Sequence, residues 1–281
     1  MVRAWLEVVR APAAVSVPGD TMAGAAAAGL RWRPGLGVAS TLLYWAGMAL
    51  NDWADRADDA VERPERPIPS GRITPGQTLG LALGLTGAGL AAAAVSGGRR
   101  GLALAGLLAG AVYAYDLGLK RTPAGPAAMS LCRALDVLLG ADGRPRALPM
   151  ALAVGAHTYG ISVLGRAEVE GATPATAHAA LAATAAAAVL SLAACRDATV
   201  PGRLAAASAL AGYLAVAVPA QAGLRVHAGP EQVRTAVRSS ILALLPLQAA
   251  AVAGRGRLGQ AGALLAAHPA GRWLSARMAT S

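Results

Sequence analysis

The chain has 281 residues, of which 55% are hydrophobic and 14% charged, and its mean hydropathy is +0.48. Soluble domains carry about 25% charged residues, so a water-exposed globule is excluded. The formal charge of +10 does not argue for a nucleic-acid partner, because aromatics make up only 4% and Phe is absent, which leaves no stacking platform; the arginines stand in ones and twos at the ends of apolar blocks, where they meet lipid headgroups.

Apolar blocks rich in Ala, Leu, Gly and Val predict helical spans at residues 12–30, 35–51, 77–96, 101–119, 125–141, 147–165, 175–195, 203–222 and 237–254. Blocks of about 17–25 residues match the hydrocarbon thickness, and lipid leaves backbone groups no partner except within a helix. The first block is read as a retained span, since Pro12, Pro18, Gly19 and Asp20 interrupt the compact apolar core that a cleaved signal needs. The connector over 52–76 is polar and much longer than the usual link. Residues 255–281 read as an amphipathic helix lying on the membrane. The expectation is one all-α domain over 1–281, a polytopic bundle of about nine helices in a bacterial cell membrane. Basic residues balance on the two sides, about twelve on each, so charge bias does not orient it. Cys132 and Cys195 sit in apolar blocks without metal or redox spacing. His157, His178, His227 and His268 are too scattered to form a ligand pair.

The connector opens on a carboxylate cluster. Residues 51–59 read NDWADRADD, and six of the fifteen acids fall between Asp52 and Glu65. At 100° per residue, Asn51, Asp52, Asp55 and Asp59 share a helical arc of about 100°. Like charges so close need a positive partner. Mg²⁺, which prefers oxygen ligands and substrate phosphates, fits; a solvated acidic face paired with Arg56, Arg63, Arg66 and Arg72 is the plainer account. That account leaves out Asn51, the one asparagine of the chain, and Lys120 is the one lysine among twenty-five basic residues. An amide can ligate or orient a bound water, and a compact ammonium suits a phosphate.

These residues carry a family resemblance. Asn51, Asp52, Asp55 and Asp59 reproduce the NDxxDxxxD motif of the UbiA prenyltransferases, and RPIPSG, Arg66 to Gly71, resembles the stretch that follows it there. Tyr115, Leu119 and Lys120 look like the family's YxxxxK loop after the fourth span. Cys132-Arg133 to Gly140 resembles its fifth span, and Arg10 with Pro12 resembles the start of its first helix. The resemblance implies nine helices around a lipid-open central cavity, Mg²⁺ held by Asn51, Asp52, Asp55 and Asp59 against a polyprenyl diphosphate, and Arg66, Lys120 and Arg10 on the diphosphate oxygens. Its implied activity is transfer of an isoprenyl group to an aromatic or other lipophilic acceptor. A terpene cyclase on the same scaffold, or a non-catalytic isoprenoid-binding membrane protein, are the alternatives.

The second aspartate-rich motif of that family is missing. Its place reads GRAEVEGAT, with Arg166, Glu168 and Glu170; Ala172 and Ala13 stand where the family often has aspartate and asparagine. Glu168 and Glu170 are the candidate second metal ligands, with surface acids beside Arg166 as the plainer reading. Positions two apart lie about 200° apart on a helix, so both reach one ion only through a broken backbone. Within the blocks, Arg133, Asp136 and Asp20 are charges where charge is costly. Arg133 and Asp136, three apart, are expected to pair on one helix. Asp20 and Tyr159 are expected to line an acceptor pocket, and Tyr115, Arg133 and Arg166 are further candidate substrate contacts.

Overall fold

The computed structural model describes residues 2–279, with side chains other than those of 2, 11–13 and 270–279. The helices are α1 (Val2–Val8), α2 (Val17–Ala27), α3 (Pro34–Ala54), α4 (Arg56–Glu62), α5 (Pro75–Leu117), α6 (Gly125–Gly140), α7 (Leu148–Gly165), α8 (Pro174–Ala194), α9 (Val200–Ala222), α10 (Pro230–Gly254) and α11 (Leu258–Ala279). Among the described residues the only extended pairing is an isolated bridge between Ala172 and Ala228, so the all-helical expectation holds. Prolines open most of these helices, at Pro34, Pro75, Pro174 and Pro230 for example. A first-turn proline has no N–H to leave unbonded and a φ already set for the helix. Thr74, Thr173 and Thr199 cap α5, α8 and α9 through their hydroxyls, satisfying a first-turn N–H.

Helix α5 runs 43 residues as one element but breaks at Gly98, whose φ of 62° and ψ of −153° only glycine adopts readily. Thr86 Oγ1 and Tyr113 OH, 27 residues apart, meet at 3.0 Å. A straight helix would hold them about 40 Å apart, so α5 folds back as a hairpin whose two limbs are the spans expected at 77–96 and 101–119. Among the described residues five helices are long and apolar enough to cross a membrane: α5, Pro145–Gly165, α8, α9 and α10. The expected spans at α2, α3 and α6 are shorter or more polar, because they bring Asp20, Asn51, Asp52, Arg133 and Asp136 inward.

Small residues let the inner helices approach. A side chain at Gly24 would strike the Val137 carbonyl, and one at Gly140 would strike the Thr21 backbone, so α2 and α6 cross nearly backbone to backbone, a packing mode suited to lipid. The main core joins α2, α7, α9 and α10, with Met150, Leu245, Leu247 and Tyr213 fully buried. Helix α11 packs onto the bundle through buried Ala261 and Leu264. The outer residues of the tail lie beyond the described side chains.

Candidate functional site

The acidic segment is built at the end of α3, where the helix runs out of apolar sequence at Asn51 and Asp52 and α4 follows almost directly. Asn51 donates from Nδ2 to Asp116 Oδ1 at 3.0 Å, across to the end of α5. Arg10 donates from Nη2 to Asn51 Oδ1 at 3.3 Å and to Asp52 Oδ1 at 3.2 Å. Arg10 has a left-handed backbone, φ 47° and ψ 49°, which costs a non-glycine residue about 1–2 kcal/mol. The conformation is held because α1 is docked: Glu7 pairs with Arg72 at 2.8 Å, and Ala4 and Val8 bury against Ala49, Leu50 and Ile73. That turn aims the guanidinium at the cluster.

Each aspartate of the segment has a cation. Arg66 Nη1 lies 2.7 Å from Asp59 Oδ2 and 3.5 Å from Asp52 Oδ1. Lys120 Nζ lies 2.8 Å from Asp55 Oδ2 and 3.9 Å from Asp116 Oδ1. Arg121 reaches Asp55 Oδ1 at 3.2 Å and Asp58 Oδ2 at 2.6 Å; the hydrogen bond it donates to Asp55 and the charge of Asp58 raise its pKa further. Asp52 and Asp59 are buried, while Asp58 is open to solvent.

All of these groups except Asp52, which is buried behind them, ring the mouth of a cavity of about 860 Å³. Asn51, Asp55, Asp59, Arg10, Arg66, Tyr115, Asp116 and Lys120 line its polar end, and Leu43, Leu108, Val112, Met129, Ile161 and Leu244 line its apolar depth. Mg²⁺ fits the donor set, which is all oxygen and includes three carboxylates and an amide. Among the described residues no three carboxylate, histidine or cysteine side chains converge to coordinate an ion, because the arginines and Lys120 hold the acids apart. Those same cations are the groups that a phosphate would draw off.

The other expected residues separate. Glu168 lines the mouth, whereas Glu170 is exposed and outside it. The turn after α7 sends the two side chains in different directions, so they do not form a pair. Arg166 lines the cavity with one N–H spent on the Thr122 carbonyl at 2.7 Å. Tyr159 does not line the cavity: α7 presents Thr158, Ile161 and Ser162 there, and Tyr159 is turned outward and 42% exposed. Arg133 pairs with Asp20 at 2.8 Å rather than with Asp136. Asp20 is fully buried behind the wall, where Gln248 Nε2 also donates to it at 2.6 Å, so it supports Arg133 instead of lining a pocket. Asp136 accepts from Ser40 Oγ at 2.6 Å. Pro12 and Ala13 lie outside the described side chains.

Sequence reasoning missed Asp116, Arg121, Asp58 and Ser40. Asp116 and Lys120 stand four apart, which puts both on one face of a helix end, and that spacing was the available signal.

A multi-helix membrane bundle whose cavity joins a charged mouth to an apolar interior defines a class of protein that handles amphiphiles with a polar head. The model of the UbiA prenyltransferase family matches residues 14–228, and the chain belongs to that family. The digeranylgeranylglyceryl phosphate synthase of Methanopyrus kandleri is 37% identical over 124 residues, 43% of this chain and 45% of that one. The bacteriochlorophyll synthase 33 kDa chain of Cereibacter sphaeroides is 39% identical over 101 residues, 35% of this chain and 33% of that one. The chain spans less than half the length of these curated relatives. A solved structure from work on digeranylgeranylglyceryl phosphate synthase in membranes superposes with a TM-score of 0.61 at 16% identity, covering 90% of this chain and 98% of its own. The apo structure of a UbiA homolog from Aeropyrum pernix K1 gives 0.56 at 18% identity, covering 94% and 97%. At such identities these two show a shared fold.

Proposed function

We propose that this protein transfers an isoprenyl group, with Mg²⁺, from a polyprenyl diphosphate to an aromatic or other lipophilic acceptor inside the membrane. The observation that carries the reading is one cavity with two chemistries: acids, Arg10, Arg66 and Lys120 at the mouth, and Leu, Val, Ile and Met side chains below.

In this reading Asn51, Asp52, Asp55 and Asp59 hold the Mg²⁺, with Asp116 beside them and Glu168 facing them from the turn after α7. Held by these residues, Mg²⁺ would supply positive charge against the departing diphosphate. Lys120, Arg10 and Arg66 exchange their carboxylate partners for phosphate oxygens, so the carboxylates become free as the head group arrives. The ammonium and the guanidinium groups then stabilise the leaving group as the allylic C–O bond breaks. The apolar wall binds the tail at about 0.8 kcal/mol per buried CH₂ and keeps water from the electrophilic carbon. The acceptor attacks that carbon where the mouth meets the wall, and its proton leaves with the departing diphosphate.

Product analysis tests the assignment. Purified protein in nanodiscs receives Mg²⁺, farnesyl or geranylgeranyl diphosphate, and a panel of acceptors. An adduct containing both donor carbon and acceptor supports transfer. A cyclic hydrocarbon formed without acceptor replaces it with a cyclase, and donor binding without any release of diphosphate replaces it with a lipid-binding role.

A further inference from the structure

Partway down the cavity the wall carries charge that a hydrocarbon tail cannot match. Gly125, at the start of α6, abuts the Lys120 backbone at the mouth. Arg133 follows eight residues later on the same helix, about 12 Å further in. Its Nε is fixed by Asp20 Oδ2 at 2.8 Å, and Asp20 is locked by Gln248. Its Nη2 is buried with no hydrogen-bond partner in the protein, and the side chain, 14% exposed, lines the cavity. Asp136 lines the same wall and is held by Ser40. Ser40 lies eleven residues before Asn51 on α3, about 16 Å along the axis.

An isoprenyl tail has no oxygen to offer a guanidinium, and an unmatched N–H in an apolar cavity is costly. The occupant at this depth therefore carries a hydrogen-bond acceptor. In a prenyl-transfer site that occupant is the acceptor molecule, with its nucleophilic atom toward the mouth and another oxygen toward Arg133.

Charge decides which oxygen. Arg133 is already matched by Asp20, and Asp136 adds a second carboxyl within electrostatic and hydrogen-bonding reach of Asp20. A third acid would leave negative charge in surplus where little water screens it. A carbonyl, amide or hydroxyl oxygen takes the Nη2 N–H and adds no charge.

We infer that Arg133 binds the distal, neutral oxygen of the acceptor and selects amide, carbonyl or hydroxyl compounds over the corresponding acids. The inference rests on the prenyl-transfer reading for the identity of the occupant. Asp136 lies too deep to remove a proton at the reacting atom, so its part, through Ser40, is to shape this end of the subsite.

The test compares two matched probes, 4-hydroxybenzamide and 4-hydroxybenzoate, by equilibrium binding to the protein in nanodiscs without donor. The amide is expected to bind at least about tenfold more tightly. Arg133→Lys keeps a cation for Asp20 and loses the forked donor; it should bring the two affinities together and raise the acceptor KM while the donor KM stays put. The double variant Asp20→Asn with Arg133→Gln replaces the ion pair as a unit, guards against misfolding of the single change, and should abolish the preference likewise. Equal affinities in the unmodified protein, tighter binding of the carboxylate, no binding of either probe, or a preference that survives both variants would overturn the inference. Absence of diphosphate release with every donor would remove the prenyl-transfer reading instead, and the donor-free binding comparison would still decide the role of Arg133.

Discussion

Asn51 and Asp116 join the two halves of the site: the amide Nδ2 of α3 donates to the carboxylate of α5 at 3.0 Å, while the amide oxygen accepts from Arg10. Among side chains of this length only the amide offers a donor and an acceptor on separate atoms. Asn51→Asp sets two carboxylates against each other and should lower turnover by about tenfold or more. The swap Asn51→Asp with Asp116→Asn returns a donor to the opposite side and leaves Arg10 an acceptor, so it should recover part of the loss. A double-mutant cycle on turnover measures this coupling, and simple additivity would show that the contact is idle.

Lys120 is the cation with least freedom, being 10% exposed between Asp55 and Asp116. Lys120→Met should weaken donor binding by about 10- to 100-fold, read as a raised donor KM with the acceptor KM little changed. Arg121→Met, at an exposed position over Asp55 and Asp58, should cost much less.

Glu168 and Glu170 separate by position. Glu168→Gln, at the mouth, should raise the Mg²⁺ concentration needed for half-maximal activity, and Glu170→Gln, outside it, should leave that concentration unchanged. A magnesium titration of the two variants checks this, and equal responses would remove Glu168 from the site.

Packing of α2 on α6 depends on two hydrogens. Gly140→Val or Gly24→Val places methyl groups into the facing backbone and should destabilise the bundle by about 1–3 kcal/mol or more. Thermal unfolding in detergent, with Gly80→Val in the open face of α5 as the control, measures the difference.

Much of this was legible in the sequence, and the rest failed for identifiable reasons. The apolar blocks placed the helices, and the crowded acids around Asn51 and Asp52 marked the mouth, because lipid and like-charge repulsion act on composition directly. The hairpin of α5 was read as two spans, though Gly98 alone does not reveal that the turn needs no loop. Pairing across helices was not legible: Arg133 stands three residues before Asp136, yet its partner is Asp20, more than a hundred residues away. Asp116 escaped notice because one acid at the end of a span looks like any helix terminus until Asn51 is seen donating to it. Tyr159 was misplaced because α7 is apolar all round and its periodicity does not mark the face that looks inward.

The acidic segment is assigned to Mg²⁺-dependent loss of diphosphate from an isoprenyl donor. Diphosphate release is measured in nanodiscs with and without Mg²⁺, for the unmodified protein and for Asp52→Ala and Asp55→Ala. Release is expected to require Mg²⁺ and to fall by on the order of 10²–10³-fold or more in both variants, with the helical signal in membranes unchanged. Release that proceeds equally in either folded variant would contradict that assignment.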